Sequence, residues 1–273
     1  MPINKNIKIA AVSLDITWGD PEENRFNISK ALTLLPKDTD IVVLPEMFTT
    51  GFVTGTERAN SLAEEWNISP TLDFLRTKAA EYNFAFCGSF IIRESDGILR
   101  NRCVFVEPSG EVTVYDKHHL FSRGDEASIL TPGERLSPVI RFRGWNCAMA
   151  VCYDIRFPVW NRNVGYRYDI LLVPANWPES RAYLWEHLLI GRAIENQSYV
   201  AGVNRSGHDD YGTYNNLSFV FDCKGLPASH VLDTGDTFGN DTSILLSECS
   251  HETLKLLRSH FPVINDADRF RLE

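Results

Sequence analysis

Short runs of β-branched and apolar residues recur along the whole chain, separated by amphipathic stretches, and this alternation limits the possible folds more than any other feature. Strands are expected at Lys8–Leu14, Ile41–Leu44, Phe84–Ile92, Cys103–Val106, Val112–Tyr115, Asn146–Val151, Ile170–Val173, Tyr199–Val203, Ser218–Phe221 and Ser243–Leu246. Helices are expected at Pro21–Leu35, Pro70–Tyr82, Pro158–Val164, Ala182–Gln197 and His251–His260. In Ala182–Gln197 the residues Trp185, Leu188, Leu189 and Ala193 share one face, the spacing of a buried stripe. Asp96-Gly97 and Ser109-Gly110 sit between strand-like runs and mark hairpin turns. Hairpins make antiparallel neighbours, whereas strand–helix–strand units such as Ile41 through Phe90 add parallel ones. The class is therefore α/β with mixed pairing and helices outside the sheets. Periodicity does not distinguish two stacked sheets from one large one. No repeat, low-complexity tract or Pro/Gly/Ser linker divides the 273 residues, so one domain over 1–273 is the simplest organisation.

Composition narrows the function classes. The formal net charge is −9, and no Lys/Arg cluster offers the basic face that nucleic acids need. An anionic substrate must be held by local donors, because the long-range field opposes it. No run of about 18 apolar residues marks a membrane span. The run from Ile7 to Leu14 is broken by Lys8 and is followed by no small-residue cleavage pattern, so no export signal is expected. Cys87, Cys103, Cys147, Cys152, Cys223 and Cys249 form no C-x-x-C pair and no zinc-like spacing with His. They are expected as free thiols in a reducing cytoplasm, with no metal and no cofactor.

Three strand ends carry chemistry. Ile41-Val42-Val43-Leu44 runs into Pro45 and then Glu46. This places a carboxylate at the mouth of a strand, where α/β folds hold ligands. Met47, Phe48 and Phe52 would desolvate Glu46 and raise its proton affinity toward general-base use. Val114-Tyr115-Asp116 delivers Lys117, followed by His118 and His119, which lack a third metal ligand at suitable spacing. Cys147 through Val151 delivers Cys152 to a bend before the helix expected from Pro158. A nucleophile at such a bend is exposed, and nearby backbone N–H groups can stabilise an oxyanion.

Together Leu44-Pro45-Glu46, Tyr115-Asp116-Lys117-His118-His119-Leu120-Phe121 and Val151-Cys152-Tyr153-Asp154-Ile155-Arg156-Phe157-Pro158 resemble the nitrilase superfamily of carbon–nitrogen hydrolases. Pro174-Ala175-Asn176-Trp177-Pro178, Arg192 through Gln197 and Val203-Asn204-Arg205 add to the likeness, which spans nearly the whole chain. Within the superfamily the chain looks most similar to bacterial omega-amidases. The pointers are the Lys117 segment, Arg156-Phe157-Pro158-Val159-Trp160 and the tail from Phe261-Pro262 to Asp268.

The resemblance implies a four-layer αββα sandwich, usually dimeric. It implies Glu46 as general base, Lys117 as electrostatic stabiliser and Cys152 as nucleophile. A second glutamate follows the lysine in many members; Glu126 is preferred for its closeness to the Lys117 motif, and Glu134 is the rival. A thiol of pKa about 8.5 is mostly protonated at neutral pH, so attack needs a base. Tyr153 offers a backbone oxyanion donor. Arg156 is a candidate for a substrate carboxylate, with an internal Asp154–Arg156 pair as the alternative; Arg181, Arg192 and Arg205 are weaker candidates. Phe48, Phe52, Asn176 and Trp177 are expected to shape the pocket. The expected reaction releases ammonia from the terminal amide of a small 2-oxo acid amide through a thioester. Another amidase, an N-carbamoyl amidohydrolase, a nitrilase, or a non-catalytic or thiol-redox protein on the same fold are the alternatives.

Overall fold

The computed structural model describes residues 6–53, 55–235, 242–268 and 270–271. Two sheets dominate it. In the larger one the strands run in the order Ser229–Val231, Ser243–Ser250, Asn6–Ser13, Ile41–Val43, Ala85–Arg93, Leu99–Val106 and Val112–Asp116, with Glu64–Glu65 pairing with Ala85–Arg93 off this path. The second sheet orders Phe219–Phe221, Tyr199–Asn204, Ile170–Ala175, Trp145–Met149 and Ile140–Phe142. The sequence alternation explains the layering. Ile7, Ile9, Ala11, Ile41, Val43, Ala85 and Cys87 point into a core shared with the second sheet. Ala10, Val12, Val42, Leu44, Phe84 and Phe86 point the other way, onto the helices Pro21–Leu32 and Pro70–Tyr82. Period-two side-chain geometry thus fills both faces of one sheet. Trp185, Leu189 and Ala193 of the helix Ala182–Asn196 cover the second sheet, as their spacing predicts. His251–His260 packs beside it: Trp145 meets the His251 ring edge-on at 5.2 Å, and Arg258 bonds Asp169 and the carbonyls of Tyr168 and Gln197. The result is the four-layer αββα sandwich.

The hairpin turns form where expected. Gly97 and Gly110 take φ of 85° and 86°, the left-handed region open to glycine, and the strands on either side pair antiparallel. Helices Pro70–Tyr82 and His251–His260 match the expected bounds. Each has a serine N-cap, Ser69 or Ser250, accepting from a backbone N–H two or three residues into the helix.

The helix expected at Pro158–Val164 is not formed. Residues 158–161 form turns instead, flanked by short 3-10 turns at Cys152–Arg156 and Val164–Tyr166. Asn161 Nδ2 donates to the carbonyls of Asp154 and Phe157, and Asn163 Nδ2 donates to those of Tyr168 and Asn196. Asparagine side chains here satisfy backbone groups that a helix would otherwise pair. Elements without a sequence expectation include Thr56–Leu62, Glu64–Glu65, Glu126–Ile129, Ile140–Phe142, Ser229–Val231 and the hairpin of Gly207–Asp209 with Gly212–Tyr214.

Candidate active site

The three strand ends meet. Past Ile41–Val43 the chain turns through Pro45, and the Glu46 N–H donates to the Ala175 carbonyl of the second sheet. Met47, at φ 45°, anchors the turn by donating its N–H to Ser89 Oγ at 3.1 Å. Lys117 follows the strand Val112–Asp116 and is fixed through its N–H to the Asn101 carbonyl. Cys152 opens the 3-10 turn after the second sheet's Trp145–Met149 strand, at φ 43°. The turn is braced by Asp154, whose Oδ2 accepts from the Val151 N–H and the Tyr115 hydroxyl, and whose Oδ1 accepts from His119 N and Nδ1.

Glu46 and Glu126 flank one ammonium. Lys117 Nζ donates to Glu46 Oε1 at 2.8 Å and to Glu126 Oε2 and Oε1 at 2.8 and 3.0 Å. All three side chains are at most 1% exposed. Charges this deep survive only when paired, and a single cation serves two carboxylates here. Glu126 opens the short helix Glu126–Ile129, and its Oε2 also accepts the Phe121 N–H at 2.7 Å. Glu134, the rival, is exposed.

The electrostatics follow from burial and from the excess carboxylate. Desolvation raises the proton affinity of Glu46, and Glu126 adds to it, while Lys117 opposes both. Desolvation pulls the Lys117 ammonium toward neutrality, but Glu126, Glu46 and the nearby Cys152 outweigh it and hold the lysine charged far into alkali. Burial and the Glu46 carboxylate push the Cys152 thiol well above the ordinary cysteine range, despite Lys117. Cys152 therefore rests as a thiol, its Sγ 3.8 Å from the Asn176 carbonyl oxygen and beside Glu46 and Lys117.

Lys117 and Cys152 lie in the wall of a cavity of about 200 Å³. Tyr153, Arg156, Asn176 and Trp177 line it, as the sequence suggests. Asn176 N–H donates to Glu46 Oε2 at 2.9 Å and its Nδ2 to the Glu46 carbonyl at 2.7 Å, so it also locks the base. Trp177 Nε1 donates to the Arg181 carbonyl. Phe48 does not reach the cavity. It is fully buried in the outer core, edge-on to Phe90, because the turn at Met47 points successive side chains to opposite sides. Phe52 lines the cavity instead.

Arg156 and Arg181 reach the cavity as stacked cations. The Arg156 guanidinium lies 4.9 Å from the Trp177 ring centre, and that of Arg181 lies 5.1 Å from Phe121. The expected alternative, an Asp154–Arg156 pair, is not formed, because four donors already saturate Asp154. Among the described residues no carboxylate pairs with Arg123, Arg156 or Arg181, all in the cavity wall. Arg192 and Arg205 are structural: the first holds the Ile155 carbonyl and Glu195, the second Asp209 and the Ile16 carbonyl.

Sequence reasoning missed Asn101, whose Nδ2 donates to Glu46 Oε1 at 2.8 Å and Glu126 Oε1 at 3.1 Å. Its signal is a neutral amide inside Leu99–Val106, between two arginines of the same strand. Tyr211 and Tyr214 of the hairpin also line the cavity, and no local pattern announces them.

The carbon–nitrogen hydrolase family profile matches residues 8–237. A curated Yersinia enterocolitica protein described as omega-amidase YafV is 38% identical, over 97% of this chain and 98% of its own. A Bacillus subtilis protein described as 2-oxoglutaramate amidase is 30% identical, over 94% and 96%. A crystal structure of a CN-hydrolase superfamily protein from Xanthomonas campestris, with an arsenic adduct in its active site, superposes with a TM-score of 0.88 at 35% identity, covering 98% of this chain and 99% of that one. Sequence profile, relatives and architecture agree: this chain belongs to the carbon–nitrogen hydrolase family.

Proposed function

We propose that the chain is a cysteine-dependent amidohydrolase that releases ammonia from the terminal amide of a small 2-oxo acid amide, such as 2-oxoglutaramate or 2-oxosuccinamate. The observation that carries this reading is the pairing of Glu46, Lys117 and Glu126 beside Cys152 in a small cavity with arginines in its wall. The relatives described as omega-amidase and 2-oxoglutaramate amidase support the substrate class.

In this mechanism Cys152 Sγ attacks the amide carbon while Glu46 takes the thiol proton. Because both groups bind protons more tightly than usual, transfer accompanies attack rather than preceding it. The oxyanion is met by Lys117 Nζ and the Tyr153 N–H. Two of the three ammonium hydrogens suffice for the carboxylates, so the one shared with Glu126 Oε1 can turn to the oxyanion. Loss of one such donor typically costs about 3 kcal/mol of transition-state stabilisation. Glu46 then protonates the departing nitrogen, ammonia leaves, and a thioester remains on Cys152. Water activated by Glu46 hydrolyses it and restores the thiol. Glu126 orients Lys117 and the substrate amide. Arg156 and Arg181 receive the distal carboxylate, their forks held in place by the rings beneath.

Homodimer assembly and a cytoplasmic setting belong to the same reading. Tyr183, Leu184 and Ile194, exposed along the helix Ala182–Asn196, support the first, and the free thiols support the second. Light scattering measures the assembly. The deciding assay is ammonia release from 2-oxoglutaramate beside glutamine, an N-carbamoyl amino acid and a nitrile, with Cys152→Ala as control. Preferential turnover of 2-oxoglutaramate that needs Cys152 is expected. Cys152-dependent preference for another substrate would discard the substrate class and keep the triad.

A further inference from the structure

We infer that Asn101 is a positioning residue of this site, whose amide assigns different tasks to the two oxygens of Glu46. The inference rests on the proposed role of Glu46 as base. Lys117 Nζ, Glu46 Oε1, Asn101 Nδ2 and Glu126 Oε1 form a closed ring of hydrogen bonds, with distances of 2.8, 2.8, 3.1 and 3.0 Å around it. Lysine and asparagine supply every donor in the ring and the two carboxylates every acceptor. Glu46 Oε1 thus accepts two hydrogens and has no lone pair to spare. Glu46 Oε2 accepts one, from the Asn176 N–H, and keeps a lone pair. Oε2 is therefore the oxygen that takes the Cys152 proton.

The same amide tethers two like charges. Glu46 and Glu126 repel each other, and Lys117 is the cation between them. A second cation in place of Asn101 would quench the base; a neutral donor holds both carboxylates without doing so. The Asn101 carbonyl also fixes the Lys117 N–H, so one residue touches the base, the lysine and the second glutamate. Asn101 is 1% exposed, and its Oδ1 has no hydrogen-bond partner among the described residues, whereas its Nδ2 bonds both carboxylates.

The test replaces Asn101 by leucine, of similar shape and without donors. The readout is the pH dependence of Cys152 alkylation by iodoacetamide, followed by mass spectrometry of the Cys152 peptide. This readout needs no knowledge of the natural substrate. Glu46 is faced by Lys117, Glu126 and Cys152 as charged or titratable groups, and all three remain in the variant. Removing a donor to the ionised carboxylate raises its proton affinity. The acid limb of alkylation is therefore expected to move upward by about one pH unit in Asn101→Leu. In Asn101→Ala a smaller upward shift is expected, since a water can replace the amide. Asn101→Ala also serves if the leucine variant fails to fold. An acid limb that stays at the wild-type position in a folded variant overturns the proposal. A Glu46→Gln control separates the two levels: if it leaves the wild-type limb in place, Glu46 is not the base, and the proposal falls together with the triad reading.

Discussion

The Tyr115 hydroxyl donates to Asp154 Oδ2 at 2.8 Å, and with the two His119 bonds to Oδ1 it ties the segment that carries Lys117 to the turn that carries Cys152. Tyr115 lies two residues before the lysine, and Asp154 two after the cysteine. The same hydroxyl accepts from Trp160 Nε1 at 2.9 Å, and Trp160 stacks on His118. Lys117 and Cys152 follow strands of different sheets, and buried bonds between their segments hold them together.

Tyr115→Phe leaves the Trp160 N–H without its acceptor and removes one of four donors to Asp154. Stability is expected to fall by about 1–3 kcal/mol in urea unfolding. With the tie reduced to the His119 bonds, kcat should drop while KM holds. A variant with wild-type kcat would show that the tie is not needed for alignment.

Lys117→Met removes the cation that the two buried glutamates share. Breaking such a cluster costs about 3–5 kcal/mol, and ammonia release should vanish. The loss should depend on pH. Burial already raises the proton affinity of Glu46, and without Lys117 it rises further. A group with a raised folded-state pKa contributes stability at low pH that is lost as pH rises through that value. The variant should therefore be closer to wild type at pH 5 than at pH 8 in paired urea melts. An equal deficit at both values would argue against ionised carboxylates as the cause.

Arg156→Ala is expected to raise KM for 2-oxoglutaramate about 10–100-fold, the worth of a charge-assisted bond of about 1.5–3 kcal/mol. Arg181→Ala should act in the same direction. Slow turnover of a neutral amide of similar size should be unaffected. If both substrates suffer alike, the arginines shape the cavity rather than read a carboxylate.

Gly133 is buried, and Gly133→Ala should cost more than one added methyl group suggests. A Cβ there would stand 2.2 Å from the Asp116 carbonyl oxygen, and the Gly133 N–H donates to the Lys117 carbonyl. The new methyl must push the backbone that carries the lysine, so kcat should fall severalfold or more. Gly97→Ala is the contrast. It has open space around it but a φ of 85°, so about 1 kcal/mol of stability should be lost with no change in kcat. A Gly133→Ala enzyme with full activity would show that the lysine strand can shift freely.

The parts of this molecule that follow local rules are legible in its sequence. Alternating faces in Ile7–Val12 and Ile41–Leu44 announce a sheet covered on both sides, and serine caps mark two helices. Glu46, Lys117 and Cys152 stand at strand ends, where a change of pattern makes them visible. Asn101 is hidden for the opposite reason: it lies within a strand, between the charged Arg100 and Arg102, and the apolar run that marks this strand begins only at Cys103. Phe48 misled because an adjacent residue on a strand-end turn need not share its neighbour's side, and the left-handed Met47 reverses it. The tyrosines of the 207–214 hairpin reach the cavity only through tertiary folding, and Arg205 holds that hairpin by Asp209.

Cys152 occupies a backbone conformation, φ 43°, that glycine adopts with less strain. In the proposed mechanism the attacking thiol is thus held on a backbone conformation that a side chain makes costly. The strain at this one peptide unit is a running cost of activity, carried in every folded molecule whether or not substrate is present.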